Sequence, residues 1–147
     1  MNEKSMEIVK DILEKRFKKD SIIAIATAID GMPHVRNVDG FYENGCFYVI
    51  TSLKSSKMKQ ILINPNVAIS GEWFTAHGIG ENIGWIKNEE NTTIAQNLRE
   101  AFASWYGNGH INEENPNNII LRIKLTDGIL FADGTKYKID FINETVE

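Results

Sequence analysis

The chain is 147 residues long, the size of one ordinary domain, and with 42% hydrophobic and 24% charged residues it can bury a core and is not a disordered tail. Sixteen Lys and Arg stand against twenty Asp and Glu, a net charge of −4 that repels a nucleic acid backbone. A single cysteine, Cys46, excludes an internal disulfide, three scattered histidines give no zinc-type spacing, and the charge-alternating start MNEKSMEIVKDILEKRFKKD is neither an export signal nor a membrane span. The expectation is one cytoplasmic domain over residues 1–147, with neither nucleic acid nor membrane as partner and a small anionic ligand as the better match to the charge.

Residues 5–19 set Met6, Val9, Ile12, Leu13 and Phe17 at helical spacing among charges, with Ser5 placed to accept hydrogen bonds from the first turn. Asp20 and Ser21 end that helix. SIIAIATAI then reads as a strand that turns at Asp30-Gly31, a pair able to take the positive φ angles of a tight hairpin. PHVRNV, a loop rich in Asp, Gly and Asn, and the strand CFYVIT come next. SSKMKQILIN reads as a short helix, capped by Ser55 or Ser56 and stopped by Asn64-Pro65. VAISGEWF is predicted as the next strand, and HGIGENIGWI, with three glycines, as a loop or bulged strand. NTTIAQNLREAFASWYGNG is the longest predicted helix, its apolar stripe running through Ile94, Leu98, Ala101, Phe102 and Trp105. The chain ends in β structure, IILRIKLT, ILFA and KYKIDFI, joined by turns at Asp127-Gly128 and Asp133-Gly134. Six or seven strands with short turns and three helices predict a mainly β, α+β domain. Its antiparallel sheet curls shut into a small barrel so that its edges are not left open, with the helices packed outside.

The stretch best suited to chemistry is residues 33–65, PHVRNVDGFYENGCFYVITSLKSSKMKQILINP. Residues 33–60 carry Arg36, Lys54, Lys57 and Lys59 against Asp39 and Glu43, whereas residues 72–147 carry six cations against twelve carboxylates. Arg36 lies in a strand, Thr51-Ser52 end the next, and Ser55-Ser56-Lys57 open a helix. Free amides at a helix start, hydroxyls and a lysine suit a phosphate, because the amides and the positive end of the helix dipole favour an anion. Arg36 adds a planar donor fork. Each residue also has a plain structural role: Lys57 as a solvated surface lysine, Ser55 and Ser56 as caps, Arg36 as half of a salt bridge, Thr51 and Ser52 as a strand end. Their combination is what points to an anion.

In this stretch the sequence resembles the FMN-binding split barrels of the pyridoxamine 5′-phosphate oxidase-like group. The motifs, in order and spacing, are Pro33, Arg36 and Val38 in one strand, Phe47, Tyr48 and Thr51 in the next, Ser56-Lys57 with Gln60 and Ile61 at the helix, and the Asn64-Pro65 stop. The resemblance implies a homodimer with FMN at the subunit interface. It implies a phosphate held by Arg36, Ser56 and Lys57, with Gln60 beside them, and a ring near the backbone of Arg36, Asn37 and Val38 and the Thr51-Ser52 turn. Trp105, with Trp73, Trp85 and Tyr106, offers an aromatic face for a flavin or a substrate, although such residues ordinarily pack in a core or dimer face. His110 can serve as a general acid or sit on the surface; His34 and His77 read as surface residues and Cys46 as a small buried hydrophobe. No metal site is expected.

The expected activity is that of a flavin-dependent oxidoreductase, which passes electrons from a reduced nicotinamide to a small-molecule acceptor. The cofactor carries the reactivity, in keeping with the lack of any catalytic triad or carboxylate pair in the sequence. The competing reading is a module that holds flavin, haem or a deazaflavin without turnover. Vitamin B6 oxidation is not carried over, because the C-terminal Arg and His segment of the true oxidases is missing: the chain ends in KYKIDFINETVE, and Arg122, Lys124, Lys136 and Lys138 alternate along strands as on a solvated face. FMN-loaded protein given pyridoxine phosphate is therefore expected to form no pyridoxal phosphate. Turnover near the ordinary enzymatic range of about one per second would reveal a second phosphate site.

Overall fold

The computed structural model describes residues 4–109 and 111–147. Helix α1 (Met6–Phe17) starts where Ser5 Oγ accepts the Ile8 amide at 3.3 Å, and it buries Val9, Leu13 and Phe17, which lie on one stripe. Strands β1 (Ser21–Ile29), β2 (Met32–Glu43) and β3 (Cys46–Ser52) come next, then α2 (Ser56–Ile63), β4 (Asn66–Gly71) and β5 (Phe74–Trp85). A 3₁₀ turn at Glu89–Asn91 leads into α3 (Thr92–Ala101) and α4 (Ala103–Tyr106), and β6 (Asn118–Ala132), β7 (Thr135–Asp140) and β8 (Thr145–Val146) complete the chain.

The strands run in the order β3-β2-β1-β4-β5-β6-β7-β8, every pairing antiparallel. A further β3–β6 ladder closes the first six into a barrel and leaves β7 and β8 as an extension. One edge of β6 pairs β3 over its first half and β7 over its second. Inward side chains such as Ile23, Ile25, Phe47, Val49, Ile69 and Leu121 form the main core, with α1 packed at the end where β1 begins and Met58 and Ile61 of α2 at the other. A second cluster lies outside, where Ala95, Leu98 and Phe102 cover Phe41 and Ile120. No described helix is long and apolar enough to cross a membrane.

Between β2 and β3 the barrel is nearly undone. Only Phe41, Tyr42 and Glu43 pair across, with Tyr48, Phe47 and Cys46. Residues 32–40 then pair with β1 alone and residues 49–52 with β6 alone, so the two strands part and leave a split.

Several local expectations need correction. Asp30-Gly31 and Asp133-Gly134 form tight turns with two positive φ angles each, but Asp127-Gly128 does not turn, and β6 runs straight through it. Gly128 serves close packing instead: a Cβ there would lie 3.0 Å from the Phe74 ring and from Thr75 O. VAISGEWF is not one strand, because Glu72 and Trp73 form a turn, with Trp73 at φ 51° and 70% exposed rather than in a core. HGIGENIGWI, by contrast, is the bulged strand of its two expected readings: β5 runs through it as far as Trp85, with register shifts at His77/Gly78 and Asn82/Trp85. The longest predicted helix breaks at Phe102 (φ −96°, ψ 14°), whose fully buried side chain holds the bend between α3 and α4.

Gly78 provides a check on barrel packing. A Cβ there would lie 2.7 Å from Ile123 Cγ2 and 2.9 Å from Lys124 O, a backbone atom with no room to yield. Gly78→Ala is expected to lower stability by about 1–3 kcal/mol in urea titrations. Gly107→Ala, where a Cβ meets nothing within 4 Å, should stay within about 0.5 kcal/mol of the parent.

Candidate functional site

The β1–β2 register sets Arg36 opposite Ile25 and, with Thr27, on the inward face. Its guanidinium donates from Nη1 to Ile25 O at 3.2 Å and to Thr27 Oγ1 at 2.9 Å, and from Nη2 to Gln60 Oε1 at 2.8 Å. Thr27 Oγ1 donates in turn to Gln60 Oε1 at 2.5 Å. Arg36 is thus locked between β1 and α2 with two of its five N–H groups unspent.

Lys57, in the first turn of α2, donates from Nζ to Thr51 Oγ1 at 2.7 Å. Ser55, not Ser56, is the cap, its Oγ taking the Met58 amide at 3.3 Å and lying 3.4 Å from Thr51 Oγ1. The first two helical amides, of Ser56 and Lys57, have no partner within the helix. Burial, and after it the charge of Arg36, lowers the Lys57 pKa, and burial lowers that of Arg36. Neither cation joins an ion pair: those among the described residues use Lys10, His77, Lys87, Arg99 and Arg122. Two half-buried cations thus face one another with hydroxyls and amides around them and no carboxylate between them.

The structure therefore brings Arg36, Thr51, Lys57 and Gln60 together at the inner side of the split. Val38 is half-buried and inward, Asn37 is exposed on the outer face, and Ser52 ends β3 with its Oγ accepting the Lys54 amide at 3.1 Å. The Ser56 side chain is exposed. Trp105 lies apart from the cations, on the outer side, stacked on Phe102 at 5.0 Å within the cluster that includes Phe41 of β2 and Ile50 of β3. Trp73, in the turn between β4 and β5, pairs with Phe131 near the end of β6, and Trp85 donates from Nε1 to Glu113 O at 2.7 Å. Tyr106 bonds Glu113, which also holds Arg99 at 2.6 Å. Cys46 is half-buried, with burial raising its pKa. His34 is exposed, His77 Nδ1 lies 2.9 Å from Asp127 Oδ1, and His110 lies outside the described residues.

Two features escape the sequence reading. Thr27 is 2% exposed, and the signal for it was present: a polar residue completing the inward series Ile23, Ile25, Thr27. The second is a pair of carboxylates, Asp20 and Asp39, close enough on the outer face for Asp20 to raise the Asp39 pKa. They lie far apart in the chain and meet only through the β1–β2 register.

No model of a protein family matches the sequence, and no curated protein matches it either. Solved structures do. A candidate pyridoxamine 5′-phosphate oxidase from Listeria innocua superposes with a TM-score of 0.64 at 12% identity over 88% of this chain and 98% of that one. This chain has the pyridoxamine 5′-phosphate oxidase-like split-barrel fold. A FAD-binding protein from Mesorhizobium loti shares that split barrel (TM-score 0.60, 17% identity, 80% and 89% coverage). So does a haem-binding protein from Mycobacterium smegmatis (TM-score 0.71, 13% identity), of which this chain spans 60% while 97% of its own length is covered.

The cation pair predicts an unusual pH response. In the unfolded chain Lys57 titrates at its ordinary value, whereas in the fold its pKa is lower. Below the folded pKa the lysine is charged in both states and the cost of burying that charge is fully present; as pH rises through the folded pKa the cost is relieved. Wild-type stability relative to Lys57→Met should therefore increase with pH in the alkaline range. Added inorganic phosphate should raise the melting midpoint of the wild type and not that of the variant. Paired melting curves with and without phosphate check both.

Proposed function

We propose that the protein is a cytoplasmic, homodimeric FMN-binding flavoprotein, an oxidoreductase that passes electrons from a reduced nicotinamide to a small acceptor. The observation that carries this reading is the Arg36–Lys57 pair, two adjacent cations with no carboxylate partner beside the open amides of α2. Such a group fits the phosphate of FMN, which is close to dianionic at neutral pH and matches cations and helix-start amides together. Arg36 orients through Thr27 and Gln60 and Lys57 through Thr51, so the donors are held before the ligand arrives, and the split beside them is open along two strand edges. Bound FMN supplies the electron-transfer chemistry. The chain's share is to bind the phosphate, present backbone along residues 36–38 and 51–52, and limit water at the ring. The FAD-binding protein of the same fold supports a flavin over an unrelated anion.

A second copy supplies what one barrel lacks. The outer face of β1, β4, β5 and β6 is a concavity of about 350 Å³ lined by Ala24, Ala26, Ala68, Ser70 and Ile129, with Val35 at its rim. Val35 is 72% exposed, so small and apolar surface continues to the edge of the split.

Purified protein with flavin absorption bands, and NADH-dependent loss of them, is the expected result. A haem spectrum, or colourless protein without a thermal shift on adding FMN, overturns the reading. Arg36→Met and Lys57→Met should each weaken FMN by about 1–3 kcal/mol, the worth of a charge-assisted hydrogen bond, as read by flavin fluorescence titration. Affinity for riboflavin, which lacks the phosphate, should barely change in Lys57→Met. Light scattering should return a dimer in the FMN-loaded state.

A further inference from the structure

Away from the cation pair, the outer side of the split holds a group that the phosphate site does not use. Trp105 Nε1 donates to Asp20 Oδ2 at 3.0 Å. The other oxygen, Asp20 Oδ1, is buried and meets no hydrogen-bond partner among the described residues. Asp39, opposite Ile22, stands diagonally across from Asp20 on the outer face, close enough for the Asp20 carboxylate to raise its pKa. Two ionised carboxylates are acceptors only and repel, so the two can bond only if one of them carries a proton. A proton on Asp39 removes the repulsion and supplies a donor beside the carboxylate whose Oδ1 has none.

We propose that Asp39 and Asp20 share one proton, and that this bonded pair is a positioning device that holds Trp105, and with it α4, across the outer side of the split. Asp39 is fixed by its register opposite Ile22, whereas Asp20 sits in the bend that precedes β1. When the proton leaves, repulsion displaces Asp20, the less constrained partner, and Trp105 loses its acceptor. Trp105 keeps its stack on Phe102 and Tyr106 its bond to Glu113, so the change falls on the indole: none of the four α4 residues is fully buried, and the freed Nε1 turns to solvent. Burial, then the hydrogen bond and charge of Asp20, push the Asp39 carboxyl up to about 6. Besides burial, Asp20 is the group that acts on the Asp39 carboxyl, although Lys18 and Lys19 precede Asp20 and other charged groups lie on the packed elements. Lys18 and Lys19 are in the bend before β1, Glu43 at the end of β2 accepts from Asn97, and Arg99 and Tyr106 are taken by Glu113.

The test reads tryptophan emission of the ligand-free protein from pH 5 to 8. Wild type should shift to longer wavelength as pH rises through about 6, Trp105→Phe should lose the shift, and Asp39→Asn, which keeps an uncharged donor in place, should hold the low-pH spectrum throughout. Asp20→Asn should do the same and stands in if the first variant does not fold. No shift in wild type, or a shift that persists in Trp105→Phe or in the Asn variants, overturns the proposal. A further arm rests on the flavin reading: FMN affinity should fall about fivefold over the same range in wild type and stay flat in Asp39→Asn. A flat wild-type profile overturns the role at the split. Absence of FMN binding at every pH would sink the flavin reading alone, since the emission data still decide the clasp.

Discussion

Three residue pairs join β2 to β3, and most of what is distinctive in the molecule depends on how few they are. β3 parts from β2 after Tyr48, yet its other edge stays on β6 along its whole length, Cys46 to Ser52, and that ladder closes the barrel across the gap. β2 is unpaired on one edge from Met32 to Gly40, so Arg36, reaching inward to Gln60 of α2, lies beside an open gap and not a finished ladder. The outer side of the same gap would expose Phe41 and Ile50, and α3 and α4 pack over those residues to form a second core. A longer ladder would give a more regular barrel with no place for a ligand between its strands.

The energetics of the gap are set by that geometry. Two cations side by side oppose folding, and they are tolerated because each is tied to neutral oxygens: Arg36 to Ile25, Thr27 and Gln60, Lys57 to Thr51. These bonds fix direction without neutralising charge. The scaffold thus keeps an electrostatic deficit that an anion can fill, which is how preorganised sites gain affinity without rearrangement. On the other side of the strands the balance is reversed, with Asp20 and Asp39 close together and, among the described residues, the Trp105 indole donating to Asp20.

What the sequence disclosed and what it hid divide along local and non-local lines. The cap at Ser5, the turns at Asp30-Gly31 and Asp133-Gly134 and the stop at Asn64-Pro65 each depend on a few neighbouring residues, and they were legible. So was the gathering of Arg36, Thr51 and Lys57, because spacing along adjacent strands and one helix start brings them together, while Gln60 was added by the family resemblance alone. Asp127-Gly128 has the same composition as the true turns, yet the approach of Phe74 and Thr75 keeps the chain extended there. Thr27 and the Asp20–Asp39 contact depend on strand register, which no short window of residues contains.

The double pairing of β6 bears on how the barrel is made. Until residues 118–124 have left the ribosome, β3 has no neighbour beyond its short ladder with β2, and β5 has one edge with nothing to bond. Five of the six ring strands therefore emerge before the one that unites them. Closure requires contacts between segments about half the chain apart, the kind of topology that folds slowly and leaves strand edges exposed during synthesis. Nascent chains that stall before β6 should be the aggregation-prone ones, because the β6-facing edges of β3 and β5 are then both bare.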